Sequence, residues 1–153
     1  MYKWDWITNV EIIARDLDGN IKDVTKIHNL ITTVGLGMVI DLFEGLIGDG
    51  EIKYMAVGSD ATAPALGQTQ LVAETFRKLI TSFTEPTATS LLTITYVAPA
   101  EAVGAIEEIG WFAGAAAGAG INSGIMVSRI LYSRVKTNLE SIQVNRTDTI
   151  AEA

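Results

Sequence analysis

Asp18-Gly19 sits between two segments, Ile7 to Arg15 and Ile21 to Ile27, in which apolar and polar residues partly alternate. Alternation at period two gives a strand one apolar face, and Asp-Gly tolerates the positive φ of a tight hairpin turn. The chain is therefore expected to open with a β-hairpin. Comparable segments follow at Ile52 to Val57, Phe76 to Phe83, Leu91 to Val97, Ala105 to Phe112, Ile125 to Ser133 and Thr137 to Asn145. Between them stand turn signals: Gly48-Asp49-Gly50, Pro64, Gly67, Pro99 and the run GAAAGAG from Gly114 to Gly120. About seven or eight strands separated in this way predict a mainly β (α+β) fold, an antiparallel β-sandwich or partly closed barrel.

One stretch breaks the pattern. Leu30, Ile31, Val34, Met38, Ile40, Leu42, Phe43, Leu46 and Ile47 cover more than one side of a helix, so one main helix is expected after the first hairpin. Apolar on several sides, it should pack on a sheet and be covered by neighbours. Gly35 and Gly37 suit close approach, each at about 1 kcal/mol of helix propensity relative to Ala. Thr69 is placed to cap a short helical turn reaching Glu74. GAAAGAG offers little side chain to pack and reads as a flexible loop tip.

A chain of 153 residues with 48% hydrophobic content is expected to form one globular domain over residues 1–153. Its formal charge of −7 opposes binding to a phosphate backbone, so no nucleic-acid partner is expected. Without Cys there is neither a disulfide framework nor a thiolate metal site. The N-terminal MYKWDWITN lacks the apolar core of a secretory signal, so the mature chain is expected to start at Met1. Leu30 to Ile40 is too short to span a bilayer and is followed by Asp41 and Glu44, which predicts a soluble protein without a membrane partner.

Residues that could carry chemistry are few. His28 is the only imidazole, which excludes a multi-histidine metal site within one protomer, and it is expected at a strand end or cap. Glu107 and Glu108 are adjacent on a strand and so point to opposite faces; Glu108 is expected to be buried beside a basic residue and Glu107 to be exposed. Glu74 and Arg77, three apart, would share a face of a helical turn, and Glu108 could complete two carboxylates around one Arg77 guanidinium. Gly35-Leu36-Gly37 lacks the third glycine and acidic residue of a dinucleotide site. No catalytic residue, metal or cofactor is predicted. Trp4 and Trp6, on one face of an N-terminal strand, are interface candidates together with Tyr2.

A resemblance extends this reading. Ala56 and Gly58 at a strand end, then Thr69, Leu71, Glu74 and Arg77, then Glu108, Ile109, Gly110 and Phe112 resemble short modules of structural proteins in tailed bacteriophage particles, among them tail-collar, baseplate and head-decoration proteins. The likeness extends to Gly35 and Leu36 upstream and to Gly124 and Arg129 downstream. It implies a non-enzymatic virion component made in the bacterial host cytoplasm. The first expectation is a capsid decoration (cement) protein on the outer head surface that bridges major capsid protein subunits as a homo-oligomer, a trimer on the resemblance alone. The alternative is a tail-collar or baseplate adaptor that joins the tail to a separate fibre. With the chain stopping at Ala153, no fibre of its own is expected.

Overall fold

In the computed structural model, which describes residues 3–153, the alternating segments become ten strands in two antiparallel sheets, with one helix among the described residues. The order is β1 (Trp4–Asp16), β2 (Ile21–His28), β3 (Leu30–Ile31), α1 (Thr33–Glu44), β4 (Ile52–Gly58), β5 (Glu74–Leu79), β6 (Ser82–Thr87), β7 (Ser90–Val97), β8 (Gly104–Ala113), β9 (Ile125–Lys136) and β10 (Glu140–Glu152). One sheet runs β2-β1-β10-β7-β6 and the other β3-β9-β8-β4-β5. Both sheets are open, so the closed-barrel alternative drops out. The mainly β class with one helix after the first hairpin is as expected. The strand number is higher, because β3 was not foreseen and the segment Phe76 to Phe83 divides. β5 ends at Leu79, and the Thr81 amide already donates to Ile94 O in the other sheet.

The chain forms two compact units, one around each sheet. In the first, β1 and β10 pair along their whole length, from Trp4 opposite Glu152 to Asp16 opposite Glu140. One face of this ladder is apolar and buried: Val10, Ile12 and Ala14 of β1, Ile142 and Val144 of β10, and Val97 of β7. The same face carries a buried polar group. Arg146 and Asp148 stand two apart on β10 and so share a side. Arg146 Nε and Nη2 donate to Asp148 Oδ2 and Oδ1 at 2.7 and 2.8 Å, and Thr8 Oγ1 and Trp6 Nε1 donate to Oδ1 at 2.7 and 2.8 Å. Burial pushes the Asp148 carboxyl up, but the Arg146 charge and these hydrogen bonds outweigh it and hold the group below the usual 3.8.

In the second unit, Thr32 fixes the start of α1. Its Oγ1 accepts from the Gly35 amide at 3.0 Å and donates to Met126 O at 2.5 Å, tying the helix to β9. Gly35 is required by that approach: a Cβ there would lie 2.7 Å from Val127 O. Gly45, at φ 69°, ends the helix, donating to Leu42 O. The helix is thus shorter than its apolar run, and it is not covered on several sides. Only Gly35 and Met38 are buried. The turn expected from Thr69 to Glu74 is also absent; the Val72 and Ala73 amides bond instead to the Glu108 carboxylate, and Glu74 begins β5.

The Asp148 group generates a prediction. A carboxyl whose pKa is lowered by folding stabilises the fold above its unfolded pKa, and that stabilisation is lost as pH falls through the folded value. Asp148→Asn should therefore melt below the native protein at neutral pH, with the gap closing below about pH 4. Thermal melts across pH 2 to 7 check this; a constant gap would reject it.

Candidate functional site

Most of the residues that carry the resemblance gather on one face of the second sheet; Ile109, between Glu108 and Gly110 on β8, takes the other face, and Thr69 lies in the loop before β5. Cross-strand pairing sets Arg77 opposite Ala56, Ala56 opposite Gly110 and Gly110 opposite Arg129, while Glu74 lies opposite Gly58 and Gly58 opposite Glu108. Two acids and two arginines thus occupy neighbouring rows, with Ala56, Gly58 and Gly110 between them. Small residues at those three positions leave space for long polar side chains to lie across the sheet.

Glu108 and Arg129 form the first pair, both fully buried, with Arg129 Nε 2.6 Å from Glu108 Oε2. The Ala73 and Val72 amides donate to the carboxylate at 2.7 and 3.1 Å. Arg129 Nη1 donates to Thr62 O at 2.6 Å, and its guanidinium also reaches Gln68 Oε1 and Asp60 O at 3.4 Å. Both partners therefore hold the loop between β4 and β5, residues 59–73. Gly58 makes this possible, since a Cβ would collide with Glu108 Oε1 and lie 2.6 Å from Ala73 O. Leu71 follows the loop into a core of Ala56, Phe112 and Met126, and a Cβ on Gly110 would meet its Cδ2 at 2.8 Å.

Arg77 forms the second pair with Glu74, as expected, but without Glu108 as a second carboxylate: Nε to Oε1 is 2.5 Å and Nη2 to Oε2 is 2.9 Å. The two residues are on a strand, where side chains three apart ordinarily face opposite ways. A shift of register at Val57/Gly58 returns them to one side, because Val57 pairs with Phe76 while Gly58 pairs with Glu74. The guanidinium lies 4.3 Å from the Phe112 ring centre, and its Nη1 donates to Gly118 O, Ser123 O and Ser123 Oγ at 2.9 to 3.0 Å. Glu74 Oε2 accepts from the Asn122 amide at 2.9 Å. GAAAGAG, expected to be a flexible tip, is thereby tied to the sheet at Gly118. With every nitrogen of Arg77 engaged, the residue serves loop placement.

Of the other expected residues, Glu108 is buried beside a base, whereas Glu107 is half-buried and accepts from Ser133 Oγ at 3.2 Å in a contact open to solvent. His28 ends β2 and lines an open groove of about 480 Å³ with Asn9, Glu11, Lys26, Asn145 and Thr147. Among the described residues no three His, Asp or Glu side chains gather with metal-binding geometry. Tyr2 lies outside the described residues. The two indoles part company: Trp4 is 52% exposed opposite Glu152, while Trp6 is half-buried and hydrogen-bonded to Asp148.

The surface that the sequence reading missed is α1. Leu36, Ile40 and Phe43, which fall on one stripe of the helix, are 46%, 51% and 74% exposed, and Leu46 just beyond it is 69% exposed. A run apolar on several sides is the sequence signal for such a surface as much as for a buried helix, so burial alone separates the two. No protein-family model matches the chain, and comparison with curated proteins and with solved structures finds no match.

Two outcomes follow from this geometry. Arg129→Met, which strands Glu108 without its cation, should cost about 3 to 5 kcal/mol in chemical denaturation, whereas Glu107→Gln should change stability by only about 0.5 kcal/mol; equal losses would reject the clamp. Trp6→Ala should lower the melting temperature more than Trp4→Ala, because only Trp6 reaches the Asp148 group; the reverse order would remove Trp6 from that group.

Proposed function

We propose that this protein is a non-enzymatic structural component of a tailed-phage particle, a capsid decoration protein on the outer head surface that bridges and stabilises capsid subunits. The supporting observation is a division of labour among side chains. The polar residues of the resembling motif are consumed in holding two loops against a sheet, while large apolar side chains at Trp4 and along α1 remain exposed. A rigid scaffold with apolar surface to spare suits a protein whose work is adhesion. Each copy docked across a subunit boundary removes apolar area from water and stabilises the assembled shell by mass action.

The charge of −7 suits the outer side of a shell better than the side facing packaged DNA, whose phosphates would repel it. The protein acts as a homo-oligomer in this reading. No metal or cofactor takes part.

Reconstruction of the intact particle by electron cryo-microscopy tests the proposal. Density for this chain is expected on the outer head surface, across contacts between major capsid subunits. Density confined to the tail would give the protein to the collar or baseplate adaptor role, and density lining the inside of the shell would overturn both. Purified native protein is expected to hold no stoichiometric transition metal; one tightly bound ion per chain would reject the purely structural role.

A further inference from the structure

We infer that α1 is the contact between two copies of this chain, joined as an antiparallel helix pair about a twofold axis. Leu36, Ile40 and Phe43 follow one another at intervals of four and three, the spacing of a helix–helix seam. Judged from their fractional exposures, these three side chains and Leu46 leave on the order of 500 Å² of apolar surface open, near the upper range for the largest patch on a monomer. That is more than half of the roughly 800 Å² that each partner gives to a standard interface. Half-buried Val39 extends the same surface. A twofold contact uses one patch twice, so an apolar stripe without a charge in it is complementary to itself.

Charge selects the orientation. α1 has no acidic residue in its first turn and no basic residue in its last, and its final turn carries Asp41 and Glu44 instead. The carboxy-terminal end is thus opposite to what the helix dipole favours, and the amino-terminal end carries no charge to meet it. An antiparallel pair corrects this, because the Glu44 end of each helix lies beside the amino-terminal end of the other. A parallel pair, or three helices around a threefold axis, would bring like acidic ends together. Gly37, on the flank of the stripe, has open space where a Cβ would stand, so the partner backbone can come close there.

The pairing rests on the homo-oligomer part of the reading above and not on the particle surface that the protein occupies. Sedimentation equilibrium of the full chain should give a monomer–dimer equilibrium, weakened about 30-fold or more by Phe43→Lys. The chain has no Cys, so single thiols report the geometry without interference. An oxidised mixture of Leu36→Cys and Phe43→Cys proteins should cross-link to each other in preference to themselves, and Ile40→Cys should cross-link to itself. Self-linking of Leu36→Cys and of Phe43→Cys in preference to the mixed product would overturn the antiparallel arrangement. A native chain that is monomeric at every concentration, with α1 variants impaired only in particle attachment, would assign the face to another virion protein. That result would overturn the pairing and leave the structural role standing; loss of particle attachment altogether, with the dimer intact, would do the reverse.

Discussion

The carboxylate of Glu108 is the point on which the second unit depends. Buried without compensation, it would cost several kcal/mol; here it accepts two backbone amides and faces a guanidinium. Its partners lie far apart in the chain, at Val72, Ala73 and Arg129, and Arg129 in turn holds carbonyls at Asp60 and Thr62. One ion pair therefore places a loop that lacks regular structure. The glycine at position 58 is a consequence of the same interaction, since a larger residue there would occupy the space of the carboxylate.

A second pair repeats the device on the same sheet, across β4. Glu74 and Arg77 hold the glycine- and alanine-rich segment after β8, with Phe112 beneath the guanidinium. In the first unit Arg146 and Asp148 form a third pair, capped by Thr8 and Trp6. Each pair lies within its own unit and is satisfied by specific donors and acceptors. Such groups add less net stability than apolar packing would, but they fix which loop sits where.

The apolar residues of α1 follow the opposite course. In a chain that buries charged side chains, a helix that leaves Phe43 and Ile40 in solvent is not explained by the needs of the isolated fold. Hydrophobic surface exposed in this amount is stabilised by burial against something else, and the assembly reading follows from that imbalance.

The amino-acid sequence by itself determined the mainly β class, the opening hairpin at Asp18-Gly19, the single helix after it, and the burial of Glu108 beside a base, because these depend on period, turn chemistry and the two faces of a strand. What it could not determine was pairing at a distance. From the sequence Glu108 is matched with Arg77, but β9 adjoins β8 whereas β4 separates β5 from it, so Arg129 takes Glu108, and the register shift at Val57/Gly58 turns Glu74 to Arg77. The division of Phe76 to Phe83 between two sheets was likewise hidden, since both halves have strand character and only tertiary contacts part them. Local pattern sets which face a residue takes on its own element; whether that face meets another element, as for Leu71, or water, as for Phe43, is decided only when segments remote in sequence come together.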